Sequence, residues 1–261
     1  PPSGHTSVPC LDRRMSVLEA VLVGLAGVAA GAINAVVGSG TLVTFPTLLA
    51  IGLPPVVANV SNTVGLVPGS VAAAWTYRRE LAGQRSRVLR LATATVVGAS
   101  LGAVLLLVLP ESSFEAVVPA LILLGCVLVV IQPWLVRRLG ERTRPHHGGP
   151  LVWLLVLVIG VYGGYLGAGQ GVLLIAVLGL GLDETLQRVN AAKNVLAGLA
   201  NLVAGLIFVA VADVDWAAAG LIAAGAPLGG LVGAGVARRL PEAVLRGSVV
   251  LVGLVAVISL R

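Results

Sequence analysis

The sequence predicts an all-α fold, a polytopic integral membrane helix bundle of two homologous repeats. Three observations carry that expectation. Of 261 residues, 57% are hydrophobic and 11% charged, with a mean hydropathy of +1.02, where a soluble domain carries about 25% charged residues. Apolar runs of membrane-crossing length recur along the chain. A shift of 131 residues lays Gly38-Ser39-Gly40 on Gly169-Gln170-Gly171 and Asn59 on Asn190 without a gap.

Residues 1–14 are expected to be a disordered tail, either native or an upstream extension, because the single methionine is Met15 and the apolar pattern starts directly after it. Stretches with few or no charges then lie at about 16–37, 55–77, 91–109, 116–136, 150–168, 195–212, 216–237 and 243–260. About 20 residues at a rise of 1.5 Å cross the hydrocarbon. All eight can therefore span it as helices, which satisfy their backbone donors and acceptors internally. The first run lacks a small-residue cleavage site followed by a soluble domain and reads as a retained helix. Two further apolar pieces, 41–52 and 172–182, would reach only about 18 Å. Each directly follows a Gly-x-Gly break, so broken or re-entrant helices are expected there. Membrane repeat 1 thus covers 15–136 and membrane repeat 2 covers 150–261, joined by a basic cytoplasmic linker at 137–149.

Charge placement orients the spans. Arg78, Arg79, Arg85, Arg87 and Arg90 cluster in one loop, Arg137, Arg138, Arg142 and Arg144 in a second, and Arg238, Arg239 and Arg246 in a third. Such loops stay in the cytoplasm. Acidic loops with Glu111 and Glu115, or Asp213 and Asp215, alternate with them. If both short pieces count as crossings, the halves form an inverted five-plus-five repeat with every basic cluster inside. If they are re-entrant, two parallel sets of four result, with Arg238, Arg239 and Arg246 outside. The charges favour the inverted arrangement, and Arg13-Arg14 are the one feature supporting the parallel one. Trp75, Trp134, Trp153 and Trp216 stand near span ends, in keeping with an interfacial belt.

Glycine is abundant, at 34 residues. Gly24, Gly27 and Gly31, Gly98 and Gly102, and Gly225, Gly229 and Gly233 put small residues on one helix face for close packing. Gly38/Gly40 and Gly169/Gly171 differ, because they precede the short pieces. A helix broken at membrane depth presents N–H groups that favour an anion, and Ser39, Thr41 and Gln170 add side-chain donors there. A tight turn alone would also use glycine. After each short piece come Asn59, Asn62 and Thr63, then Asn190, Lys193 and Asn194. Spacings of i, i+3 and i+4 put each trio on one helical face. Amides and an ammonium at membrane depth need partners or a polar cavity. Lys193 is the only lysine; its alternative is a snorkelling interfacial residue, given Asp183, Glu184 and Arg188 nearby. The thirteen residues named at the breaks and in the two trios are the candidate substrate-binding set.

The net charge of +6 is accounted for by topology and anionic lipid, so no nucleic-acid partner is expected. Cys10 and Cys126 have no metal-ligand spacing, and no metal or cofactor is expected. His5, His146 and His147 lie in loops or the tail, and Glu19 is expected at the interface, so no proton carrier is assigned. Ser39 without a histidine in any span makes no nucleophile pair, which argues against an enzyme.

The run Asn34-Ala35-Val36-Val37-Gly38-Ser39-Gly40-Thr41-Leu42-Val43-Thr44-Phe45-Pro46, then Gly52-Leu53-Pro54-Pro55 and Ala58-Asn59-Val60-Ser61-Asn62-Thr63, resembles the sulfite exporter TauE/SafE family of membrane transporters. The second half keeps Gly167-Ala168-Gly169-Gln170-Gly171 but has no proline matching Pro46, and carries Arg188-Val189-Asn190-Ala191-Ala192-Lys193-Asn194 where a small-and-hydroxyl segment is usual. The resemblance implies a multi-pass plasma-membrane carrier of sulfite, sulfonates or related organosulfur anions. The residues themselves suit a small oxyanion. A passive anion channel or an accessory subunit is the rival reading, and a homo-oligomer stays open.

Overall fold

The computed structural model describes residues 15–139, 149–236, 247 and 250–252. The expectations for residues 1–14, for most of the linker, for Arg238, Arg239 and Arg246, and for most of the last span lie outside the described residues.

The described chain is helical throughout: α1 (Val17–Val36), α2 (Thr41–Ala50), α3 (Pro55–Thr76), α4 (Arg85–Val108), α5 (Glu111–Leu139), α6 (Pro150–Tyr165), α7 (Gln170–Gly181), α8 (Leu186–Val211) and α9 (Trp216–Val236). Among the described residues five helices, α1, α3, α4, α5 and α8, are long and apolar enough to cross a membrane. The chain is a polytopic helical membrane protein. Its lipid-facing surface is apolar, with Val17, Leu18, Leu25, Val108 and Leu206 all well exposed.

Local chemistry sets the boundaries. Ser16 and Glu19 form a reciprocal capping box, the Ser16 N–H donating to the Glu19 carboxylate at 2.8 Å and the Glu19 N–H to the Ser16 hydroxyl at 3.2 Å, so Glu19 starts α1. Gly38, Gly52, Gly167 and Gly169 all have positive φ, the left-handed conformation that ends helices and is cheap only for glycine. The breaks fall where the Gly-x-Gly motifs put them. The span expected at 150–168 stops at Tyr165 because Gly167 and Gly169 turn the chain. Helices α4 and α5 begin earlier than the apolar runs do, at Arg85 and Glu111, because their first turns are charged. Helix α8 begins at Leu186 because its polar face, half-buried Asn190 with buried Lys193 and Asn194, packs inside the protein and continues the helix.

Glycine contacts give the helix directions. Gly27 and Gly31 of α1 meet Ile222 and Ala226 of α9, Gly65 and Gly69 of α3 meet Ile222 and Ala226 as well, and Gly98 and Gly102 of α4 meet Gly160 and Val161 of α6. In each pair the numbers rise together, so α1, α3 and α9 run one way, and α4 and α6 run parallel to each other. Gly198 meets Ser70 while Gly205 meets Val64 and Val67, so α8 runs against α3. Helices α1 and α3 of the first half therefore share a direction, as α2 must return between them. A T-shaped chain of rings, Phe45 with Phe114 and Phe114 with Tyr165, ties α2, α5 and α6 into the core.

Candidate functional site

The two helix breaks meet each other. The N–H of Gly171 donates to the carbonyl of Gly38 at 3.0 Å, and a Cβ on either glycine would lie within 2.5 Å of the other's Cα. Only glycine permits this approach. Around the crossing, each broken helix leaves carbonyls without helical partners. At the end of α1, Val37 and Gly38 both donate to Ile33, and the next two carbonyls are taken from α8: Lys193 Nζ donates to Asn34 at 2.9 Å, and the Nδ2 groups of Asn190 and Asn194 donate to Ala35 at 3.2 and 3.5 Å. At the end of α6, Asn59 Nδ2 of α3 donates to the Tyr165 carbonyl at 2.8 Å. The i, i+3, i+4 face of α8 thus clamps the broken end of α1, and Asn59 clamps that of α6. An ammonium at the negative end of a helix dipole is electrostatically favoured.

Lys193 is fully buried and reaches inward to α1 rather than snorkelling. Its Cδ packs 3.2 Å from where a Cβ on Gly38 would stand. Asn62 is turned toward α2, its Oδ1 accepting from the Thr44 hydroxyl. Thr63 donates to the Asn59 carbonyl of its own helix at 2.8 Å. Gly40 sits against Ala30 and Asn34 of α1, its N–H held by Asn34 Oδ1 at 3.1 Å. Gly169 packs on Gly125 of α5, and Thr41 is buried in the first turn of α2. The N–H groups of Gly40 and Gly171, expected to greet an anion, are therefore engaged within the protein.

Other groups are not. Ser39 Oγ, Gln170 Nε2, Asn59 Oδ1 and Asn190 Oδ1 are buried with no hydrogen-bond partner. Leaving such an atom unpaired costs about 1–3 kcal/mol, so a further polar partner at any of them would be stabilising. Gln170 lies against Gly163, whose missing side chain makes the room: a Cβ there would stand 2.2 Å from Nε2. Asn34, outside the thirteen residues expected in the site, holds both sides of the first break, its carbonyl accepting from Lys193 and its side chain from the Gly40 N–H. The signal for it was an amide at the end of a charge-free run, four residues before the break.

One charged cluster ties the two halves at the basic side. Glu184 Oε1 pairs with Arg87 Nη1 at 2.6 Å and Oε2 with Arg188 Nε at 2.5 Å, while Gln84 donates to the Arg188 carbonyl at 3.2 Å. Burial pushes the Glu184 carboxyl up, but the hydrogen bonds and charges of Arg188 and Arg87 outweigh it and hold the group below the usual carboxylate range. A depressed carboxyl contributes stability that is full above its unfolded value, about 4.3, and is lost as pH falls through its folded value. Glu184→Gln should therefore lower stability at neutral pH by about 1 kcal/mol and flatten the acid limb of a Tm-against-pH curve. An unchanged acid limb would mean that the cluster contributes nothing.

The sulfite exporter TauE/SafE family profile matches residues 23–260. A protein of Haemophilus influenzae named probable membrane transporter protein is 26% identical over 227 residues, covering 86% of this chain and 88% of its own. The probable membrane transporter protein YfcA of Escherichia coli K12 is 26% identical over 229 residues, covering 87% and 83%. The probable membrane transporter protein ORF9 of Sinorhizobium sp is 30% identical over 144 residues, covering 54% of each chain. No solved structure matches.

Proposed function

We propose that this chain, which belongs to the sulfite exporter TauE/SafE family, is a secondary transporter that moves a small anion of the sulfite, sulfonate or related organosulfur class across the plasma membrane by alternating access. The observation carrying this reading is the pattern of unpartnered buried atoms. Ser39 and Gln170 are 131 residues apart, as are Asn59 and Asn190, and all four have a polar atom with no partner, on a break or in the polar faces that cap the breaks, with the one buried ammonium at the first break. Side chains packed only for stability have no reason to stay unsatisfied in matched pairs.

The duplication behind the reading has support of its own. Ser70 and Asn201, again 131 apart, meet across the α3/α8 crossing at 3.4 Å, as residues near an axis relating two copies would. Helix α1 packs on α9 as α6 packs on α4, each through glycines. Broken helices that bring polar groups between two copies are the construction common to carriers. On this reading the clamps at both breaks close the site, and access to either side comes from opening one of them.

Reconstituted protein should give saturable flux of sulfite or a small sulfonate into proteoliposomes, driven uphill by an imposed ion gradient. Conductance that rises linearly with concentration would identify a pore instead, and no flux with any anion of the class would remove the reading.

A further inference from the structure

We propose that the site selects a monovalent anion that itself carries a hydrogen-bond donor, an acid oxyanion or a hydroxylated sulfonate, over fully deprotonated or purely accepting anions. This rests on the anion-carrier reading above and narrows its substrate. The first argument is charge. Lys193 is the one charged side chain among the described buried residues, and no Asp or Glu is among them. One ammonium balances one negative charge. A dianion would bring a second, uncompensated charge into a low-dielectric interior, which is costly.

The second argument is the polarity of the unpartnered atoms. Asn59 and Asn190 each spend Nδ2 on a backbone carbonyl, that of Tyr165 and that of Ala35. A carbonyl can only accept, so both amides are fixed in orientation: each keeps a second Nδ2 N–H, and the atom left with no partner at all is an oxygen. Both oxygens are buried and unpaired. An anion offering nothing but lone pairs would leave them unpaired and would repel them. A substrate O–H or N–H satisfies one of them. The anionic oxygens have their own partners: Gln170 Nε2, the Ser39 hydroxyl, and the ammonium of Lys193, which has three donors and shares one with Asn34. The site thus offers donors beside acceptors, with a single positive charge. Ser39, Asn59 and Gln170 are each more than nine-tenths buried, so these unpaired atoms are not surface groups awaiting bulk water.

The test uses two monoanions of nearly the same shape, hydroxymethanesulfonate and ethanesulfonate, which differ by a hydroxyl in place of a methyl. Both are titrated against the purified full chain in lipid nanodiscs, with the rise in apparent stability reading affinity. Hydroxymethanesulfonate should bind roughly tenfold or more tightly, because a site built to hydrogen-bond a hydroxyl rejects the analogue lacking it. Equal affinity, or tighter binding of ethanesulfonate, would overturn the inference while leaving an anion site in place. If neither these two nor sulfite and nitrate shift the stability, the anion reading fails and takes this inference with it. Wild-type protein suffices, so the result does not depend on a variant that fails to fold.

Discussion

Gly38→Ala should abolish accumulation of folded protein, whereas Gly24→Ala, in the helix just before the break, should leave it unchanged. At Gly38 two penalties add. The residue has φ +84, where a side chain costs about 1–3 kcal/mol, and its Cβ would lie 2.5 Å from the Gly171 Cα, backbone that cannot step aside. Overpacking of that kind costs about 1–3 kcal/mol more. Together they take a large share of the roughly 5–15 kcal/mol that holds a domain folded, and they act at the one point where the two breaks touch. Gly171→Ala meets the same wall from the other side, at 2.4 Å, without the penalty in φ, and should be milder. A Cβ on Gly24 meets nothing within 4 Å. Yield of monodisperse protein and Tm in detergent read the difference. Normal yield and Tm for Gly38→Ala would mean that the breaks do not cross as described.

Lys193→Met should cut anion flux by more than tenfold while changing Tm little. Methionine keeps the apolar stem that packs on Gly38 and removes only the ammonium. Two stability effects then oppose each other. The Asn34 carbonyl loses its donor, at about 1–3 kcal/mol, while a buried charge and its desolvation penalty disappear, a change that is often neutral or favourable when an apolar group of similar volume takes its place. Transport has no such offset, because the one buried cation among the described residues is gone. Lys193→Ala should lose flux equally and lose more stability through the cavity it leaves. Flux unchanged in Lys193→Met proteoliposomes would reduce the lysine to a cap on α1.

Much of this arrangement was legible in the sequence. The breaks at Gly38 and Gly169 could be read because positive φ at a helix end selects glycine, and the one-face trios could be read because helical spacing is local. The cross-chain partners could not. Nothing near Asn190 or Lys193 indicates that their donors go to the carbonyls of Asn34 and Ala35, more than 150 residues away, and their burial followed from that. For the same reason snorkelling was a close rival to a cavity for Lys193: the charged residues just upstream, Glu184 and Arg188, suggested a nearby interface, while in the fold Glu184 closes on Arg87 of another helix. Glu19 could be placed near the membrane surface, but its pairing with Ser16 as a cap required seeing where the first turn starts. The contact between Gly38 and Gly171 joins residues that are not each other's repeat counterparts, so the duplication alone did not suggest it.

The glycine seams also decide which parts can slide. A Cβ on Gly229 would lie 1.9 Å from the Val28 carbonyl oxygen, and one on Gly102 2.0 Å from that of Val161, so α9 is welded to α1 and α6 to α4 with no slack. Each weld joins a helix of the first half to one of the second. The tightest seams of this protein consequently run between its N- and C-terminal halves and not within them, grouping α1 and α3 with α9 and α4 with α6.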